Sequence, residues 1–124
     1  MPNQRSSGLG NVGRSLRFRE SVSLLLRAEG IGNVVAPMHR SLAASFDSAT
    51  PASDILGIHG FTILTRSEVQ RDLSGGVNSA IRAAADDGNE FGVIVWERHS
   101  YPAGESYAVM TLDVLAKLIR AVQP

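Results

Sequence analysis

Six consecutive residues, Phe91-Gly92-Val93-Ile94-Val95-Trp96, carry no polar side chain on either parity. Successive residues of a strand point to opposite faces of the sheet, so a run that is apolar throughout requires cover on both sides. The flanking sequence supplies helices for that cover. Leu73, Val77, Ile81 and Ala84 recur at helical intervals within residues 71 to 87, and Gly88 ends the pattern. Gly75 and Gly76 weaken the first turn of this helix, by about 1 kcal/mol each relative to alanine. Thr111 caps a last helix whose Leu112, Leu115, Leu118, Ile119 and Val122 are expected to face inward. The fold class that follows is α/β, a mixed central sheet flanked by helices.

The rest of the chain fits the same scheme. Phe18, Val22, Leu25, Leu26 and Ala28 share a stripe that predicts a helix over 15 to 29, with Gly30 as its stop. Asn33 to Met38 reads as a short strand, with Pro37 at an edge or bulge, and Leu42 to Phe46 as its continuation. Asp54 to Ile58 and Phe61 to Arg66 flank His59-Gly60 as the arms of a hairpin, and Tyr107 to Met110 forms a late strand. The predicted order is α-β-β-β-α-β-β-α without internal repeats. Residues 1 to 14, rich in Gly, Ser and Asn, are expected to be a flexible or partner-bound tail ahead of a single domain over 15 to 124.

A chain of 124 residues with 44% apolar content suffices for one core. Its 12 basic and 12 acidic residues balance, so net charge directs it toward neither nucleic acid nor membrane. Their placement is uneven: Arg5, Arg14, Arg17 and Arg19 crowd the first nineteen residues without a carboxylate, and Asp86, Asp87, Glu90 and Glu97 cluster late. The lack of cysteine excludes disulfides and thiolate-held zinc. No apolar run is long enough to span a membrane or to serve as a signal peptide, which leads to the expectation of a cytoplasmic protein. There is no phosphate loop and no Gly-x-Ser-x-Gly elbow, and Gly8-Leu9-Gly10-Asn11-Val12-Gly13 lacks the preceding strand of a dinucleotide site.

The run Ser53-Asp54-Ile55-Leu56-Gly57-Ile58-His59-Gly60-Phe61-Thr62-Ile63-Leu64-Thr65-Arg66 resembles the stretch Gly-Asp-Ile-x-Gly-Ile-x-Gly-aromatic-x-Ile-Glu-x-Lys of Holliday-junction-resolvase-like members of the PD-(D/E)XK nuclease superfamily from actinobacterial phages and prophages. The likeness continues through the following helix, Phe91 to Trp96, and Tyr107 to Leu112, covering about residues 15 to 122. It implies the restriction-endonuclease-like αβββαβ core. In such nucleases an Asp and a Glu hold Mg²⁺ or Mn²⁺, a Lys helps position the attacking water, and a Glu on the first helix often assists. Here the first acid is matched by Asp54, but the second acid falls on Leu64, the lysine on Arg66 and the helix glutamate on Arg19. Leucine is no metal ligand and arginine cannot act as a base. The resemblance therefore implies the fold without the cutting chemistry, and no metal ligand set.

Asp54 is then either a catalytic relic or a strand-start acid paired with Arg66. Glu68, on the parity of Leu64 and Arg66 if the strand continues, is a candidate displaced ligand. Arg14, Arg17, Arg19 and Arg66 form either a phosphate-contacting patch or a solvated face with scattered ion pairs. His39, His59 and His99 lack metal-binding spacing, and His59 and His99 are expected to face solvent; Trp96 and Phe61 are expected in the core. The reading is a catalytically inactive nuclease-fold protein of phage or prophage type. It would act as a binding or assembly module, as a virion component or DNA binder, in the host cytoplasm or virion. A homo-oligomer or larger assembly is expected, nucleic acid is a possible partner, and neither membrane nor cofactor is required. The competing reading is an active Mg²⁺-dependent nuclease or junction resolvase using Asp54 with Glu68 or Glu20.

Overall fold

The computed structural model describes residues 3 to 37 and 51 to 124, with side chains from Gly13 onward. The elements in chain order are helix α1 (Asn3–Ala28), strand β1 (Phe61–Arg66), helix α2 (Leu73–Asp87), strand β2 (Phe91–Trp96), a 3-10 turn (Ala103–Glu105), strand β3 (Tyr107–Val109) and helix α3 (Leu112–Val122). Among the described residues the sheet has three strands in the order β1-β2-β3. β1 and β2 run parallel with Phe61 opposite Phe91 and Arg66 opposite Trp96, and β3 joins β2 antiparallel. The protein is thus α/β with a mixed sheet. The all-apolar run at 91 to 96 is the central strand, and α2 is the crossover between the two parallel strands.

The two sheet faces carry separate cores. On one, Leu64, Ile94 and Trp96 meet Ala80 and Ala83 of α2. On the other, Ile63 meets Phe18 and Val22 of α1 together with Val34, Ala36 and Ile55. Small residues set the α2 contact. A side chain at Gly92 would run into the Ala80 carbonyl, and one at Gly76 would lie 2.7 Å from Ile94 Cδ1 and 2.9 Å from the Trp96 ring. The inward stripe of α2 is consequently Gly76, Ala80, Ala83 and Ala84, whereas Leu73 and Ile81, expected inside, are exposed. Asp72 caps the helix by accepting from the Gly75 N–H at 2.9 Å, and Gly88, with φ of 71°, ends it in the left-handed conformation.

Other sequence expectations are corrected. The helix predicted over 15 to 29 starts at Asn3, so most of the segment expected as a tail is helical. The hairpin over 54 to 66 is reduced on its first arm to isolated bridges, Val35 with Leu56 and Ile55 with Ile63. Gly57 explains the break: its φ is 92°, and a Cβ there would collide with the Asn33 carbonyl, so the chain turns instead of extending. Of the strand predicted over Asn33 to Met38, the described residues to Pro37 show a single bridge at Val35, and Met38 and Leu42 to Phe46 lie outside the described residues. In α3 only Val114 is buried; Leu112, Leu115, Ile119 and Val122, expected inside, are exposed. Trp96 is buried as expected and donates from Nε1 to the Glu68 carbonyl at 2.7 Å.

The loop before Asp54 is fastened to the far end of α2. Asp87 accepts from the Ala52 N–H at 2.7 Å, the Ser53 N–H at 3.2 Å and the Thr62 hydroxyl at 2.9 Å. Asn89 adds bonds to the Phe61 carbonyl and the Thr62 hydroxyl. Asp87→Ala leaves two backbone donors and the Thr62 hydroxyl proton without their acceptor, and is expected to cost about 2 kcal/mol, measured by urea unfolding.

Candidate functional site

Asp54 stands where the bridged segment meets β1. Its N–H donates to the Ile63 carbonyl at 2.8 Å, and its Oδ2 accepts from the Thr65 N–H at 2.8 Å and the Thr65 hydroxyl at 3.4 Å. These bonds fix the carboxylate against the sheet. Two guanidinium groups then close on it: Arg19 Nη2 lies 3.4 Å from Oδ1 and Arg66 Nη1 lies 3.8 Å from Oδ2. Arg19 reaches the site from α1, one residue past the buried Phe18, and also donates to the Pro37 carbonyl at 3.3 Å. Arg66, the last residue of β1, donates to the Thr65 carbonyl at 2.9 Å. All three groups are largely withdrawn from solvent, with side-chain exposures of 10% for Asp54, 18% for Arg19 and 34% for Arg66.

Among the described residues one carboxylate stands between two guanidiniums, an excess of positive charge. Attraction between opposite charges a few ångströms apart grows as water is withdrawn, so the pairs hold the aspartate, and the surplus charge favours an incoming anion over a cation. Leu64, at the position where the nuclease resemblance needs an acid, is buried among Ala80, Ala83, Ile94 and Trp96. It serves the core. Among the described residues no group of three or more His, Cys, Asp or Glu residues is placed to hold a metal ion.

Beside this cluster a cavity of about 280 Å³ opens between α1 and the end of β1, lined by Arg14, Ser15, Ser67, Glu68 and Val69. Ser67 is buried, and its hydroxyl has no hydrogen-bond partner among the described residues. A second, shallower groove of about 410 Å³ runs from Arg66 to the start of α2, where Asp72, Gly75, Ser79 and Arg82 line it.

The chain matches no protein-family model, no curated protein and no solved structure.

The candidates sort themselves by place. Asp54, Arg19 and Arg66 form one cluster, and Arg14 lines the adjoining cavity. Arg17 is not with them: it is exposed, one residue before the buried Phe18 and in line with the exposed Ser21 on the outer side of α1. Glu68 follows the end of β1, so it does not continue the strand parity of Leu64 and Arg66; it is exposed and borders both openings. Glu20, the other candidate second acid, lies 3.7 Å from Arg27. His99, expected to face solvent, is half-buried with Nε2 2.7 Å from the Ser67 carbonyl, which makes that nitrogen the protonated one. Sequence reasoning missed Ser67, which has no motif around it, and Asp87, which it read only as part of an acidic cluster.

Proposed function

We propose that this chain is a nuclease-fold module that does not cut, and that it binds the phosphate backbone of nucleic acid through Arg19 and Arg66, with Arg14 at the rim. The observation that carries this reading is the double engagement of Asp54 by guanidinium groups, which among the described residues puts positive charge in excess. Arginine presents planar, bidentate donors suited to phosphate oxygens, and its charge does not titrate away. The sheet supports the reading by holding Asp54 through Thr65, so that the arginines are set in place before any ligand arrives. The resemblance to the PD-(D/E)XK nucleases agrees with it, since phosphate would then occupy the place of the metal-bound scissile group. The assembly part of the reading draws on a different surface, the exposed apolar side of α3.

The test is fluorescence anisotropy with labelled duplex and four-way-junction DNA, with and without Mg²⁺ or Mn²⁺. Three phosphate contacts give a slope of about −2 to −3 in log affinity against log salt. Arg19→Glu and Arg66→Glu each lower affinity at least about tenfold across sequences, and Asp54→Asn raises it by removing the competing carboxylate. Binding indifferent to all three substitutions refutes the phosphate site. Cleavage in Mg²⁺ or Mn²⁺ that disappears on Asp54→Ala replaces the proposal with the active-nuclease reading.

A further inference from the structure

We infer that the nucleic acid this chain holds is single-stranded, its unpaired bases stacking on a ladder of tyrosine rings and guanidinium planes at the edge of the sheet. The inference rests on the phosphate-binding reading and adds the chemistry that receives the bases. A turn closed by the Tyr101 N–H donating to the Arg98 carbonyl at 3.2 Å, with Ser100 at φ of 72°, folds Tyr101 back onto Arg98. Arg98 Cζ then lies 3.7 Å from the Tyr101 ring centroid and 5.1 Å from that of Tyr107. Arg71 follows, 4.9 Å from the Tyr107 centroid. Two rings thus alternate with two cations, and the rings are exposed by 52% at Tyr101 and 42% at Tyr107. Among the described residues neither arginine has a carboxylate partner. Arg71 donates from Nη2 to the Glu97 carbonyl at 3.1 Å, while the Glu97 side chain turns inward, its Oε1 buried and 4.0 Å from His99 Nε2. Both stacking planes and charge are left for a ligand.

The register puts this ladder in line with the arginine cluster. β1 and β2 run parallel and end together, and ligands of open α/β sheets settle beyond the carboxyl ends of such strands. Arg66 of β1 stands beside Trp96 of β2, and Trp96 beside Tyr107 of β3, so the three form one row across the sheet. Two strand spacings, about 10 Å, separate the ends of that row. At the rise of about 3.4 Å per nucleotide of a stacked strand, this spans about three nucleotides. A strand whose phosphates meet Arg19 and Arg66 therefore reaches the ladder with its next bases. Base pairing decides which nucleic acid fits. In a duplex each base is covered by its neighbours, whereas an unpaired base offers its face to an aromatic ring or a guanidinium plane, whatever the sequence. Tyr101 is the open end of the ladder. Arg98 is the one group stacked on its ring among the described residues, which leaves the second face to a base.

The test is fluorescence anisotropy with labelled oligo-dT and oligo-rU of about 20 nucleotides against a duplex of the same length. A surface that reads phosphates alone prefers the duplex, whose charge is denser. Here the better single strand is expected to bind at least about tenfold more tightly than the duplex, and the sugar it carries tells DNA from RNA. Tyr101→Ala should lower single-strand affinity about tenfold or more and leave duplex affinity unchanged, whereas Tyr101→Phe keeps the platform and the affinity. In the unaltered chain the Tyr101 ring-proton resonances should move upfield as the single strand is added, a readout that no folding defect can imitate. Arg19→Glu separates this inference from the reading beneath it, because it weakens single strand and duplex alike. A duplex bound as tightly as either single strand, or a single strand indifferent to Tyr101→Ala, overturns the inference and leaves the phosphate site standing so long as Arg19→Glu still weakens binding. Single-strand affinity that falls with Tyr101→Ala yet ignores Arg19→Glu and Arg66→Glu overturns the phosphate site instead.

Discussion

Gly92→Ala is expected to destabilise the protein by about 3 kcal/mol, seen as a lower urea midpoint with an unchanged slope. Alanine is the smallest change available, and elsewhere in a strand it would be mild or favourable. Here the added methyl group meets the Ala80 carbonyl, and behind it the Ala84 methyl. The helix backbone cannot yield without lifting α2 from β2, which would open the contact of Ala80 and Ala83 with Ile94 and Leu64. Gly76→Ala provides the comparison: its new methyl meets the Ile94 Cδ1 and the Trp96 ring, side-chain atoms that can turn aside. Alanine also favours a helix over glycine, so this second change should cost clearly less. Equal losses at both positions would show that the helix backbone does not limit the approach.

The second large effect is expected at Asp54. Asp54→Ala removes the shared counter-ion of Arg19 and Arg66 and the acceptor of the Thr65 N–H, leaving two like charges close together in a shielded place. The cost is about 3 to 4 kcal/mol, mostly from charge left without compensation. The triple replacement of Asp54 by Ala and of Arg19 and Arg66 by Met should recover much of that loss, since side chains of similar length fill the space without charge. A double-mutant cycle in thermal unfolding measures the coupling. If Asp54→Ala costs no more than an exposed ion pair, below about 1 kcal/mol, the pairs are solvent-screened and the electrostatic account of the site fails.

The sequence made the layered α/β plan legible because one strand, 91 to 96, is apolar on both parities and so demands two covered faces. It also marked Asp54, Arg19 and Arg66, which the fold does bring together. Its errors have physical causes. In α2 the large residues Leu73 and Ile81 were taken for the inner stripe, yet close approach to a sheet selects for smallness, and Gly76, Ala80 and Ala83 carry the contact. In α3 the stripe was read as facing inward, yet Leu112, Leu115, Ile119 and Val122 are exposed and only Val114 is buried, because periodicity marks an apolar stripe without saying that anything covers it. Arg17 and Arg19 point about 160° apart because a helix turns 100° per residue, and only Arg19 reaches Asp54. Ser67 matters only through the cavity next to it, and no local pattern encodes a cavity.

The three bonds that Asp87 accepts tie the aspartate-bearing loop to the last turn of α2. Loosening of that helix end and loosening of the arginines' grip are therefore one equilibrium seen from two places. An anion that settles on Arg19 and Arg66 draws on the order of the whole clasp, so it should slow amide exchange at Ala52 and Ser53, residues it never touches.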